Sequence, residues 1–149
     1  MRPVHEGWWL KLVQLQLVRN ALFWLLRVYA YGFHLVLGFW LAGMGTVALA
    51  SGHDLTLGML PWLGPALTRA ALLLGLAGVI CVALAVTGLA RWLFPLWTLF
   101  ALIMMLRGFF LSPYTFSGPG EFKFAVWLTI GALVAFVGSL SLFGRGRKR

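Results

Sequence analysis

The chain has 149 residues, of which 62% are hydrophobic and 10% charged. A water-soluble domain usually carries about 25% charged residues, so this composition excludes a soluble globule and calls for a lipid-facing exterior. The formal net charge is +9, but the basic residues are not interleaved with stacking aromatics outside the apolar runs, so no nucleic-acid partner is expected.

Four apolar runs account for most of the chain: Val28–Ala50, Ala70–Leu89, Trp92–Leu111 and Phe124–Phe143. Each is close to the roughly 20 helical residues that cross a hydrocarbon core of about 30 Å. Unpaired backbone groups are too costly in lipid for anything but helices or a closed barrel, and the runs lack the alternation of a barrel strand. The expected fold is an all-α integral membrane protein, a single domain of four transmembrane helices in an antiparallel bundle. With their flanks the spans cover about 24–50, 68–89, 92–111 and 123–143, preceded by an interfacial lead-in at 1–20 and followed by a basic tail at 144–149.

The lead-in pairs Trp8 and Trp9 with Lys11 and Arg19, as interfacial segments often do. Its polar residues Lys11, Gln14, Gln16 and Arg19 scatter around a helical wheel, and the alternation is strand-like over a few residues, so the expectation is an interfacial lead-in that runs into the first helix rather than a cleanly amphipathic helix. The first span carries the main polar cluster, Asn20, Arg27, Tyr31 and His34, followed by Gly38 and Gly45. These positions form one stripe that should face protein. His34 lies about 10 Å deeper than Arg27 by helical rise, where an ionisable side chain is a functional candidate by default. A neutral imidazole hydrogen-bonded to a neighbouring helix is the leading reading. A quinone or headgroup contact, a proton relay, and a metal or haem ligand are the alternatives. Ala48-Leu49-Ala50 before Ser51 resembles a signal-peptidase site, but the preceding segment is too long for a secretory signal and a retained span is expected.

Ser51–Pro65 holds Gly52, Gly58, Pro61, Gly64 and Pro65 and reads as a loop on the outer interface. The second span repeats small residues at Ala77, Cys81 and Ala85, and at Ala71 and Gly75; the fourth does so at Gly131, Ala135 and Ser139. Such spacing lets helix backbones approach closely in lipid. Cys81 is the single cysteine, so neither an intrachain disulfide nor a dithiol redox pair exists. Only Ala90 and Arg91 separate the second and third runs, which should make them adjacent, with Pro95 tolerated in the first turn of the third. Ser112–Glu121 is a second turn-rich loop.

An outer-face charge cluster collects His53, Asp54, Arg69, Arg107, Glu121 and Lys123, with Asp54–Arg69 and Glu121 with Arg107 or Lys123 as plausible ion pairs. Nine basic residues, Arg2, Lys11, Arg19, Arg27, Arg91, Arg145, Arg147, Lys148 and Arg149, fall on one side, and three, Arg69, Arg107 and Lys123, on the other. The positive-inside rule puts both termini in the cytoplasm, as expected in a bacterial inner membrane. Membrane lipids, other membrane subunits or a second copy are the expected partners.

Enzyme templates are absent: the three carboxylates, Glu6, Asp54 and Glu121, do not gather, and no catalytic or metal-binding motif is present. No catalytic residue, metal site or cofactor is expected within the chain alone; a quinone, a lipid or a haem shared with a partner remains compatible. A paired-histidine haem is disfavoured because His5 and His53 do not match the depth of His34.

The layout resembles the DoxX-like group of small bacterial membrane proteins. The resemblance rests on Arg27 with downstream Gly38, on Leu74-Gly75-Leu76-Ala77-Gly78 and on Gly88-Leu89-Ala90-Arg91. It implies four spans and a place in quinone-coupled redox systems or membrane assemblies. The absence of a redox cysteine pair speaks against carrying over any activity. The expected function is a non-catalytic accessory or structural subunit of a larger inner-membrane complex, with a stand-alone lipid or quinone binder using Arg27, Tyr31 and His34 as the alternative.

Overall fold

A computed structural model describes residues 6–57, 60–112, 116 and 118–142, with side chains from Lys11 onward. Four helices make up the described residues, with no strand: α1 (Glu6–Ser51), α2 (Gly64–Thr87), α3 (Leu93–Leu106), prolonged by a π-helical turn at Arg107–Leu111, and α4 (Pro119–Leu140). All four are long and apolar enough to cross a membrane, α3 together with its π turn. The chain is an all-helical, multi-pass membrane protein.

The first helix is nearly twice the expected length. Residues 6–20 belong to it without interruption, because Leu, Lys, Gln and Arg are strong helix formers and no glycine or proline lies between Gly7 and Gly32. Propensity has overridden the short strand-like alternation. Other boundaries move by a few residues. The helix α2 opens at Gly64-Pro65 and α4 at Pro119, four residues ahead of the expected start in each case. Proline is compatible with the first turn of a helix, whose leading N–H groups have no partner anyway. The α2–α3 connection is five residues rather than two: α2 stops at Thr87 because Gly88 takes a left-handed φ of 82°. The last expected span reached Phe143, which lies outside the described residues.

Around the bundle, α1 packs against α2 and α4, and α3 against α2 and α4. The α1 seam is a heptad: Arg27, Tyr31, His34, Gly38, Leu41, Gly45 and Ala48 step alternately by four and three residues, all buried or half-buried. A 3.5-residue period keeps such a seam turned toward its neighbours along several turns. Glycine supplies the closest approach. A Cβ on Gly38 would lie 2.9 Å from the Gly75 carbonyl, one on Gly45 would lie 2.8 Å from the Leu72 nitrogen, and one on Gly75 would collide with the Ala42 backbone. Two apolar clusters fill the interior. Ala30, Val82, Ala85, Phe94 and Ala135 form one, and Leu102, Met105, Phe109, Ala125 and Ala132 the other.

Candidate functional site

The polar stripe of α1 divides into three different environments. Asn20 is exposed, where α1 has not yet met the bundle. Arg27 is half-buried and donates from its guanidinium to the Ser141 carbonyl at 2.9 Å and to Ser141 Oγ at 3.4 Å. Ser141 follows the last residue of α4, so the cation sits against the carbonyl end of that helix, where the macrodipole is negative. Arg27 Nε is buried without a hydrogen-bond partner. Tyr31 packs its ring on Phe94, centroids 5.0 Å apart, and lies within electrostatic reach of both Arg27 and Arg91.

His34 is only 1% exposed. Its Nδ1 lies 3.0 Å from the Ala30 carbonyl one turn back, so the hydrogen bond is made to its own helix, not to a neighbouring one as expected. A carbonyl can only accept; Nδ1 therefore carries the proton, and in the neutral ring Nε2 is left as an acceptor. That Nε2 is buried and has no partner. The imidazole is wedged edge-on between the rings of Phe33 and Phe94, at 5.3 and 5.6 Å. Aromatic neighbours rather than a polar relay surround it.

Two polar ties were not legible in the sequence. Thr98 and Ser139, both fully buried, share a hydrogen bond of 2.9 Å between α3 and α4. At the opposite end of the bundle from Arg27, Thr68 Oγ1 accepts from Leu55 N–H at 3.2 Å and fixes the first loop to α2. A polar side chain inside an apolar run signals a partner, but only the fold says which.

Of the small-residue positions, Cys81, Ala85, Ala135 and Ser139 are buried, while Ala77 and Gly131 are half-buried. A Cβ on Gly131 would meet the side chains of Tyr29 and Phe33 at 2.9 Å. The tightest backbone approach of α4 belongs instead to Gly138, where a Cβ would strike the Leu26 carbonyl. The four-residue count skipped Gly138 because the true contact face also steps by three.

The outer charged residues are all exposed. His53 is exposed and contacts the Ser51 carbonyl at 2.9 Å. Asp54 and Arg69 are both exposed, and among the described residues no ion pair joins them, which corrects the expected pairing. In contact with water such a pair is worth only ~0–1 kcal/mol and cannot hold two mobile side chains together. Arg107 opens the π turn, Glu121 stands in the first turn of α4 where a negative charge suits the helix dipole, and Lys123 is exposed. Among the described residues no group of three or more His, Cys, Asp or Glu side chains is placed to hold a metal ion.

Cavities line the outside of the bundle. One of about 440 Å3 is walled by Tyr29, Phe33, Trp40, Phe109 and Phe124 and is almost wholly apolar. Another, about 500 Å3, runs between the N-terminal half of α1 and the end of α4 and is lined by Arg19, Asn20, Trp24, Arg27, Leu140 and Ser141. No family model, curated protein or solved structure matches the chain.

Proposed function

We propose that the chain is a non-catalytic accessory subunit that packs against larger partners in a bacterial inner-membrane complex, its four helices antiparallel and both termini cytoplasmic. The observation that carries this reading is the N-terminal arm of α1. Every residue from Lys11 to Leu25 is exposed, and the 20 residues from Glu6 to Leu25 extend about 30 Å at ~1.5 Å each. Leu12, Val13, Leu15, Leu17, Val18 and Leu22 are bare on this arm, around its circumference. Lys11, Gln14, Gln16, Arg19 and Asn20 are interspersed among them, but this much bare apolar surface still calls for cover. Among the described residues no other helix covers it, so a partner subunit is the cover we assign.

The antiparallel arrangement draws support from register: Gly38 meets Val79 while Gly45, further along α1, meets Leu72, earlier in α2. The DoxX-like layout belongs to the same proposal. Its quoted positions include the Gly38–Gly75 approach and the Gly88 turn, which are structural features and carry no reaction.

The test is purification from native membranes in mild detergent, with the whole chain beside a variant lacking residues 2–22. The whole chain is expected to travel in a larger complex with partner subunits in fixed ratio, and the variant to fold but run alone. A whole chain that behaves as a stable lone monomer overturns the reading.

A further inference from the structure

Where α1 leaves its neighbours, the groove of about 500 Å3 beneath the end of α4 combines two features. The first is positive charge. Arg19, Asn20, Trp24 and Arg27 fall within an arc of about 140° at ~100° per residue, so both guanidiniums belong to one wall. The carbonyl end of α4 opposes them with a partial charge of only about −0.5, which one Arg27 N–H already meets through Ser141. The groove keeps a net charge of roughly +1.5. The cavity beside His53 and Asp54 has no such excess, and that beside Tyr29 and Trp40 has no charged residue.

The second feature is that charge and apolar wall are adjacent. Trp24, Phe23, Val137 and Leu140 complete the groove next to the arginines. Arg27 Nε is buried and without a hydrogen-bond acceptor, a donor that an anion entering the groove would serve. A free inorganic anion would answer the charge and waste the apolar wall. A molecule with a phosphodiester and hydrocarbon chains answers both.

We propose that this groove binds the headgroup of an anionic membrane phospholipid, with the phosphate on Arg27 and Arg19, the polar headgroup on Asn20, and the acyl chains along Trp24 and Leu140. The groove shares the arm with the proposed partner surface, and the two readings are told apart by their readouts: lipid retention on the isolated chain, partner binding on the native complex.

The full chain is purified in mild detergent, offered phosphatidylglycerol and phosphatidylcholine in equal amounts, and analysed by native mass spectrometry. Phosphatidylglycerol is expected to be retained preferentially, and Arg19→Gln to reduce its retention about five-fold, the worth of one cation beside an anionic membrane surface. Arg27→Gln is expected to do the same, but it also removes the tie to α4. Arg19→Gln touches no such tie and keeps the test decisive if the Arg27 variant misfolds. Equal retention of the two lipids overturns the proposal, as does an Arg19→Gln variant that binds phosphatidylglycerol normally. Displacement of the lipid by millimolar inorganic phosphate assigns the groove to a free anion and overturns the lipid reading as well.

Discussion

Glycines on helix faces fall into two physical kinds in this protein, and the difference is measurable. Gly75 has the Ala42 backbone where its Cβ would be, whereas Gly43 has nothing within 4 Å of that position. Helix association in lipid depends on close packing, since hydrocarbon solvates an apolar face as well as another helix does. Gly75→Ala is therefore expected to destabilise the fold by ~1–3 kcal/mol through overpacking, read by unfolding in mixed detergent micelles. Gly43→Ala should be neutral or stabilising by up to ~1 kcal/mol, because only helix propensity changes. Equal effects at the two positions would remove the argument for backbone contact. His34 makes a second residue-level case. Its Nδ1–H shares the Ala30 carbonyl, which also accepts the i→i−4 backbone bond of the helix, so losing the imidazole orphans nothing. Losing it also removes a buried acceptor without a partner. An unsatisfied buried group costs ~1–3 kcal/mol, against under ~1.5 kcal/mol for a volume-conserving repack. His34→Leu is expected to equal or exceed the parent in stability. A loss of several kcal/mol (~3 or more, the scale of a broken buried network) would mean that Nε2 has a functional partner in the membrane.

At the scale of the helix, sequence and structure agree where lipid sets the rule and part where the chain alone does. Hydrophobic runs report the thickness of the bilayer, so four spans were countable. They do not report where a helix ends. The α1 arm continues to Glu6 since nothing in Trp8–Arg19 breaks a helix, and Pro65 and Pro119 begin helices although proline at first reads as loop. The stripe from Arg27 to His34 was legible through its period. Its partners were not: Ser141 lies 114 positions from Arg27, and Ser139 lies 41 from Thr98. No local pattern encodes such a meeting, and two hydroxyl groups in apolar runs look alike whether they bond across helices or back to their own carbonyls. The same holds for the groove beneath α4, whose basic wall and aromatic side are contiguous in sequence while Val137, Leu140 and Ser141 come from the far end of the chain.

For the whole molecule, the remaining question is which end faces which compartment, and the fold sorts the charges before topology is assigned. Arg27 and Arg91 both act on Tyr31, and Arg27 reaches Ser141, so the α2–α3 turn, the α4 terminus and the root of the arm share one end. The loop after α1, tied to Thr68 by Leu55, occupies the other. In sequence the basic residues divide nine to three between the two sides, and the side with the excess of Lys and Arg is expected to be cytoplasmic. The 46 residues of α1 come to about 69 Å at ~1.5 Å per residue, over twice a hydrocarbon core of ~30 Å. The arm must then leave the hydrocarbon core or bend along its border, and the charge rule predicts the cytoplasmic side for it, with Lys11 and Arg19. Single cysteines test this in a Cys81→Ala background, at Thr56 in the first loop and Leu89 in the α2–α3 turn, both exposed. Thr56→Cys is expected to react with a membrane-impermeant maleimide on intact cells, and Leu89→Cys only after the membrane is opened. The reverse pattern would invert the molecule and place the arm and its arginines outside; labelling of both sites on intact cells would deny that α2 crosses the membrane at all.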